Sequence, residues 1–380
     1  MYTIHDYGEM IADRGRTDAY ARAIRERVRP GAVVLDLGAG AGVMTLLACE
    51  AGARKVYAIE SDGIIEVARE LVRANGFADR VELIQARSTS VTLPEQVDAI
   101  VAEIHGVLPF YGPSPASIID ARTRFLKPGG AVIPAADTIM AAVVSLPDAY
   151  LDLVGPWEQF SQFTGEPGRR RVLSTWRKQD VPGSALVVEP AVWLKLDYVE
   201  CEDANARGRL AWRIARPNTA HGFSLWFDCE TVAGCRFSNS PQSGEEHVFG
   251  QAFFPWPQPC PLEPGDAVEI DIRADLVGED YLWAWETTVR SAGGIGKAHY
   301  SQHQLTSVPF TRDWLQKTAS SFVPSPNQHA EIDKIILDGL ISGTRLDQIA
   351  RLVAERFPDR FPNKRAALTH VGKMSMKYSK

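Results

Sequence analysis

The chain has 380 residues, 45% hydrophobic and 23% charged, with a formal net charge of −6. That length suits two or three globular domains, and the acid excess argues against a general nucleic-acid or membrane surface, which would select for Lys and Arg. No apolar stretch is long enough to span a bilayer, and the opening MYTIHDYGEMIADRGR lacks the apolar segment of a secretion signal.

In chain order, a helical pattern runs from Asp18 to Arg29 and is stopped by Pro30 and Gly31. The short apolar run from Val33 to Leu37 reads as a strand buried on both faces. Further strand-like runs follow at Val56–Glu60, Val81–Ala86, Ala99–Glu103 and Ala131–Pro134, separated by helical stretches such as Ile64–Asn75 and Ala116–Phe125. Such alternation predicts a parallel sheet with helices on both faces. From Asp137 to about Pro309 the texture changes to short β-like runs, among them AVWLKLDYV, HGFSLWFDCE, AVEIDI and YLWAWETTV, separated by Pro and Gly turns. This stretch reads as an antiparallel barrel or sandwich. SSFVPSPN at Ser320–Asn327 has the composition of a linker. Beyond it, EIDKIILDGLISGTRLDQIARLVAERFP has helical periodicity, with Thr344 expected to cap the second helix.

The strongest chemical signal is VVLDLGAGAG at Val33–Gly42 together with Glu60, eighteen residues beyond Gly42 at the end of VYAIE. Gly38, Gly40 and Gly42 let the backbone turn sharply and approach a ligand. A carboxylate closing the second strand can accept both hydroxyls of a ribose. A dinucleotide fingerprint needs G-x-G-x-x-G, with the pyrophosphate on the helix N-terminus. Here the third glycine comes one residue early and Val43 takes the fingerprint position. This G-x-G-x-G spacing is typical of sites for S-adenosylmethionine, whose nucleoside carries no phosphate.

The five cysteines, Cys49, Cys201, Cys229, Cys235 and Cys260, are odd in number and lack C-x-x-C spacing, so neither a disulfide framework nor a zinc site is expected. The cytoplasm is the expected compartment. His299 and His303 have the four-residue spacing of a helical metal site but lie in β-like sequence, where that spacing separates them by roughly 13 Å; no metal is implied.

Six motifs lie in order along Tyr7–Pro309: EMIADRGRT (Glu9–Thr17), LDLGAGAG (Leu35–Gly42), AGARKVYAIESD (Ala51–Asp62), AEIHGVLPFYG (Ala102–Gly112), FLKPGGAVIP (Phe125–Pro134), and FSNSP followed by FFPWPQ (Phe237–Gln258). Together they resemble the protein arginine methyltransferases. The resemblance implies an α/β fold, a doubly wound Rossmann-like domain over 1–136 followed by an antiparallel β-barrel domain over 137–315; the helical periodicity beyond the linker adds a small C-terminal helical domain over 328–380.

The resemblance also implies S-adenosylmethionine as cofactor, leaving as S-adenosylhomocysteine. Arg16 would grip the cofactor carboxylate, to which a guanidinium offers two parallel hydrogen bonds. Asp36 would fix the glycine turn, Glu60 with Ser61 would hold the ribose, and Arg87 and Ser88 would lie against adenine. A family acid near the adenine amine is Thr89 here. Head-to-tail homodimers are expected, with residues 147–168 as the arm.

On the acceptor side, the family holds a guanidinium between two glutamates of one hairpin loop. Glu103 matches the first and is the expected catalytic acid, whereas the second falls at Gly112. The family's Thr-His-Trp loop reads Phe254, Pro255, Trp256. His105, two residues beyond Glu103, is a candidate base near neutral pH, against the reading of a packed loop histidine. Phe110, Tyr111 and Trp256 are expected to wall a dry acceptor pocket. If the acceptor is a guanidinium, another acid such as Glu9 or Glu286 would have to enter; otherwise it is a different peptide side chain or an amino-acid-derived metabolite of a tailoring pathway. The C-terminal helices are similar to peptide-recognition modules. The competing reading is a non-catalytic subunit that binds S-adenosylmethionine without turnover. The expected partner is a peptide or small-molecule methyl acceptor, with no nucleic acid and no membrane.

Overall fold

The computed structural model describes residues 2–159, 162–244 and 248–379. The chain divides into two compact units, Met1–Val308 and Pro309–Lys380.

The first unit opens with helices α1 (Ile4–Ala12) and α2 (Arg14–Arg27). It continues through β1 (Val33–Leu37), α3 (Val43–Glu50), β2 (Lys55–Glu60), α4 (Ile65–Ala74), β3 (Val81–Gln85), β4 (Val97–Val101), α5 (Ser114–Phe125) and β5 (Leu126–Ile133). These strands form a parallel sheet in the order β3-β2-β1-β4-β5. The order reverses between β1 and β4, and in such sheets ligands bind beyond the strand C-termini at that switch point. β5 starts well before Ala131 because Leu126 already pairs with Val97; the register then slips, and Ala131 pairs with Ala99. The intervening Pro-Gly-Gly stretch is thus a bulge inside the strand.

Helix α1 is an addition to the sequence reading. Thr3 and Asp6 form a reciprocal capping box at its start, and Asp13 ends it while its carboxylate accepts the Arg16 backbone N–H at 3.2 Å to begin α2. The buried face of α2 carries Arg16, Ala19, Tyr20, Ala23 and Ile24, a helical stripe in which an arginine occupies the first place.

After β5 come β6 (Ala136–Val144), α6 (Pro147–Glu158), α7 (Glu166–Val172), β7 (Arg177–Gln179), β8 (Ala191–Asp197), β9 (Ala206–Arg213), β10 (Asn218–Val232), β11 (Cys235–Ser238), β12 (Gln251–Leu262), β13 (Ala267–Val277), β14 (Asp280–Arg290) and β15 (Gly296–His303). They make two antiparallel sheets, β7-β12-β10-β6-β8 with β11 on β10, and β15-β14-β13-β9. One core runs from Leu35 and Ile100 of the parallel sheet through Phe110 to Trp193, Phe254 and Trp283 of the antiparallel sheets. Phe160 and Ser161 of the expected dimer arm lie outside the described residues.

The second unit holds α8 (Arg312–Lys317), α9 (Gln328–Ile341), α10 (Leu346–Arg356) and α11 (Lys364–Tyr378). Ile332, Ile336, Ile349, Val353, Phe357 and Val371 form its own core. Thr344 does not cap α10: Arg345 holds that position without a side-chain bond, and the Thr344 hydroxyl lies 3.1 Å from that of Ser342. Asn327 and Asn363 cap α9 and α11 instead. Among the described residues, no helix is long and apolar enough to cross a membrane.

Candidate active site

A cavity of about 810 Å³ opens beyond the C-termini of the parallel strands. Its floor is the glycine turn. Gly38, Gly40 and Gly42 all have positive φ, at 73°, 52° and 87°, and a Cβ at Gly38 would lie 2.3 Å from the Ile104 side chain. Only glycine supplies both that backbone and that space.

Glu60 holds the turn from the neighbouring strand. Its Oε2 accepts the Gly40 N–H at 3.0 Å and its Oε1 the Asp62 N–H at 2.8 Å. Each carboxylate oxygen keeps a lone pair for a ligand hydroxyl. Asp36, expected to fix the turn, instead accepts the Thr45 hydroxyl at 2.5 Å and so anchors the first turn of α3. Burial pushes the Asp36 carboxyl up to about 7, against the Thr45 bonds that lower it.

Arg16 lies buried on the cavity, its guanidinium paired with Glu103 and donating to the Met10 carbonyl. Its Nε has no hydrogen-bond partner among the described residues. Ser61, Arg87, Ser88 and Thr89 also line the cavity, and the Ser88 carbonyl is held at 2.8 Å by Arg124. A cradle without side chains, an acid with spare acceptor capacity and a buried guanidinium with an unused donor fit the hydroxyls and carboxylate of S-adenosylmethionine. Tyr7, Met10 and Ile11, for which the motifs assign no role, bring α1 over the cavity.

Glu103 stands two residues beyond the end of β4, and its carboxylate is flanked by two cations. Burial works to raise its pKa, but Arg16 and His105 outweigh it and hold the carboxyl below its ordinary value. His105 Nδ1 lies 3.6 Å from Glu103 Oε1, an ion pair too long for a hydrogen bond.

His105 corrects an expectation. Its Nε2 is 2.8 Å from Asp137 Oδ2, which also accepts the Tyr198 hydroxyl at 2.5 Å, and its ring stacks on Phe227 at 5.0 Å. Burial alone would lower the imidazole pKa, but the Asp137 and Glu103 carboxylates carry it up to about 10. His105 borders the cavity beside Glu103, but with that shift it is an imidazolium at neutral pH and not a free base. Cys229 brings its sulfur within 4.8 Å of the His105 and Asp137 ligand atoms. In the structure this group is tied together through Asp137, which bonds both the His105 ring and the Tyr198 hydroxyl.

Two expected pocket walls are core residues. Phe110 is 3% exposed and lies edge-on to Tyr281, Trp193 and Trp283, and fully buried Trp256 packs on Tyr300. Both belong to the hydrophobic centre shared by the sheets. Neither lines the cavity, whereas Tyr111 does. Glu9 is exposed beside His5, and Glu286 is exposed on β14 beside His299. Neither of these acids reaches the cavity; Glu279, in the turn between β13 and β14, does.

Residues 34–130 match the family model for a methyltransferase domain, and residues 135–278 match that for the arginine methyltransferase oligomerization subdomain. Protein arginine N-methyltransferase 6 of Danio rerio is 30% identical over 349 residues, covering 87% of this chain and 92% of its own length. The probable protein arginine N-methyltransferase 6 of Arabidopsis thaliana is 32% identical over 60% of this chain, which spans only 54% of that relative. The Trypanosoma brucei PRMT1 enzyme-prozyme heterotetrameric complex with AdoHcy superposes with a TM-score of 0.71 at 23% identity, covering 80% of this chain and 98% of its own. The chain thus belongs to the protein arginine N-methyltransferase family.

Proposed function

We propose that this chain is an S-adenosylmethionine-dependent methyltransferase acting on a side chain of a peptide. One observation carries the reading: Arg16, Glu60 and the Gly38–Gly42 cradle converge on the same cavity as Glu103. The cofactor, when bound, supplies an activated sulfonium methyl. The protein's own task is then positional. Glu60 receives hydroxyls, the spare Arg16 donor receives a carboxylate, and Glu103 orients the acceptor nitrogen. Ile104 and Tyr111 border that place.

The matched oligomerization subdomain supports assembly as a homodimer, with exposed Leu151 and Trp157 of α6 as docking residues. The helical unit, with a cavity of about 260 Å³ lined by His329, Arg360, His370 and Lys373, supports capture of a peptide substrate. Five free thiols suit the reducing cytoplasm.

Calorimetry with S-adenosylhomocysteine, followed by mass spectrometry of peptides incubated with S-adenosylmethionine, tests the reading. Uptake of the nucleoside and a gain of one methylene on a peptide are expected. Uptake without methylation of any peptide would leave a binding subunit, and no uptake would remove the cofactor assignment.

A further inference from the structure

Glu103 alone cannot accommodate a cationic acceptor. Arg16 and His105 already flank it, and Asp137 sits behind His105, so the buried chain Arg16, Glu103, His105, Asp137 is charge-balanced as it stands. A guanidinium brought to Glu103 would face two resident cations. It needs another carboxylate, because an uncompensated buried charge is costly.

The position where the family places its second glutamate is Gly112, with φ at 49°. A Cβ there would point at the turn between β13 and β14, 3.8 Å from the carbonyl oxygen of Glu279. Leu276 near the end of β13 and Gly278 and Glu279 of that turn border the cavity together with Glu103 and Gly112. The Glu279 carboxylate already holds a guanidinium, that of Arg87. Both partners are more than 60% exposed, and an exposed pair of this kind contributes little to stability. Arg87 can therefore give way to a ligand of the same chemistry.

We propose that Glu279 supplies the second acceptor-binding carboxylate, reaching the site from the β13–β14 turn in place of a side chain at Gly112, and that it selects guanidinium over ammonium acceptors. The proposal rests on the methyltransferase reading. A planar fork bridges two carboxylates approaching from different elements, whereas an ammonium is a single point of charge. Glu279 neutralises and orients the acceptor; no bond is made or broken at it.

The test is equilibrium binding to the full-length chain saturated with S-adenosylhomocysteine. The probes are a pentapeptide with arginine between alanines and its lysine counterpart. The unmodified chain is expected to bind the arginine peptide at least about tenfold more tightly. Glu279→Gln should erase that preference while the nucleoside still binds, and Glu279→Gln with Gly112→Glu should restore part of it. An unchanged preference in Glu279→Gln, or no preference in the unmodified chain, overturns the proposal. Failure to take up S-adenosylhomocysteine at all would instead overturn the methyltransferase reading.

Discussion

Arg16 and Glu103 are 87 residues apart in the chain and form one ion pair on the cavity floor. The group expected to hold the cofactor thereby also positions the group expected to hold the acceptor. Arg16→Ala removes a charged, buried donor, an effect of about 2–5 kcal/mol. S-adenosylhomocysteine affinity should fall about 30-fold or more, as read by calorimetry. Glu103→Gln keeps an acceptor oxygen for Arg16 but loses the charge, so cofactor affinity should change little while turnover drops roughly 100-fold or more. A fully active Glu103→Gln chain would remove Glu103 from the mechanism.

His105 shares the same charge network from its other side. Replacing it by Phe leaves Glu103 and Asp137 facing each other across the core with one cation fewer. Removing one partner of a buried ionic set costs about 3–5 kcal/mol, which urea unfolding would register. His105→Phe should also lower turnover through misplacement of Glu103, whereas a base removed from solvent contact would leave unfolding unchanged.

His105→Phe also yields a pH signature. The His105 pKa rises from the ordinary 6.5 to about 10 on folding, so the folded state holds its proton more tightly. That stabilisation is fully present below about pH 6.5 and is lost as pH climbs through 10. The stability gap between the unmodified chain and His105→Phe should therefore be wide at pH 7 and narrow toward pH 10. A constant gap over that interval would mean that His105 is neutral in the folded chain.

What was legible in the sequence follows from the range over which each feature is encoded. The glycine turn and Glu60 were readable because β1, the turn and β2 are contiguous, and the pairing of Leu37 with Ile59 brings the turn to Glu60. The roles inside the turn were not: Glu60, not Asp36, bonds its backbone. Placement of Phe110 and Trp256 failed because an aromatic beside a motif looks alike whether it faces a ligand or a core. Pairing of Asp137 with His105 and entry of Glu279 beside Gly112 depend on packing between the parallel and antiparallel sheets, which leaves no periodic trace in the sequence. The capping failure at Thr344 arose from competition, since its hydroxyl meets Ser342 rather than the α10 backbone.

The helical unit can be tested by removing it. The core clusters of Met1–Val308 draw on no described residue beyond Val308, and Ile332, Ile349 and Phe361 belong to a separate cluster. A chain ending at Val308 should therefore fold and take up S-adenosylhomocysteine with the affinity of the full chain. If α9–α11 capture the substrate peptide, tethering raises the local concentration of the acceptor side chain. Truncation should then raise KM for a long peptide tenfold or more while leaving kcat and the KM of a pentapeptide unchanged. Equal KM values for the long peptide in both chains would show that the helices take no part in substrate capture.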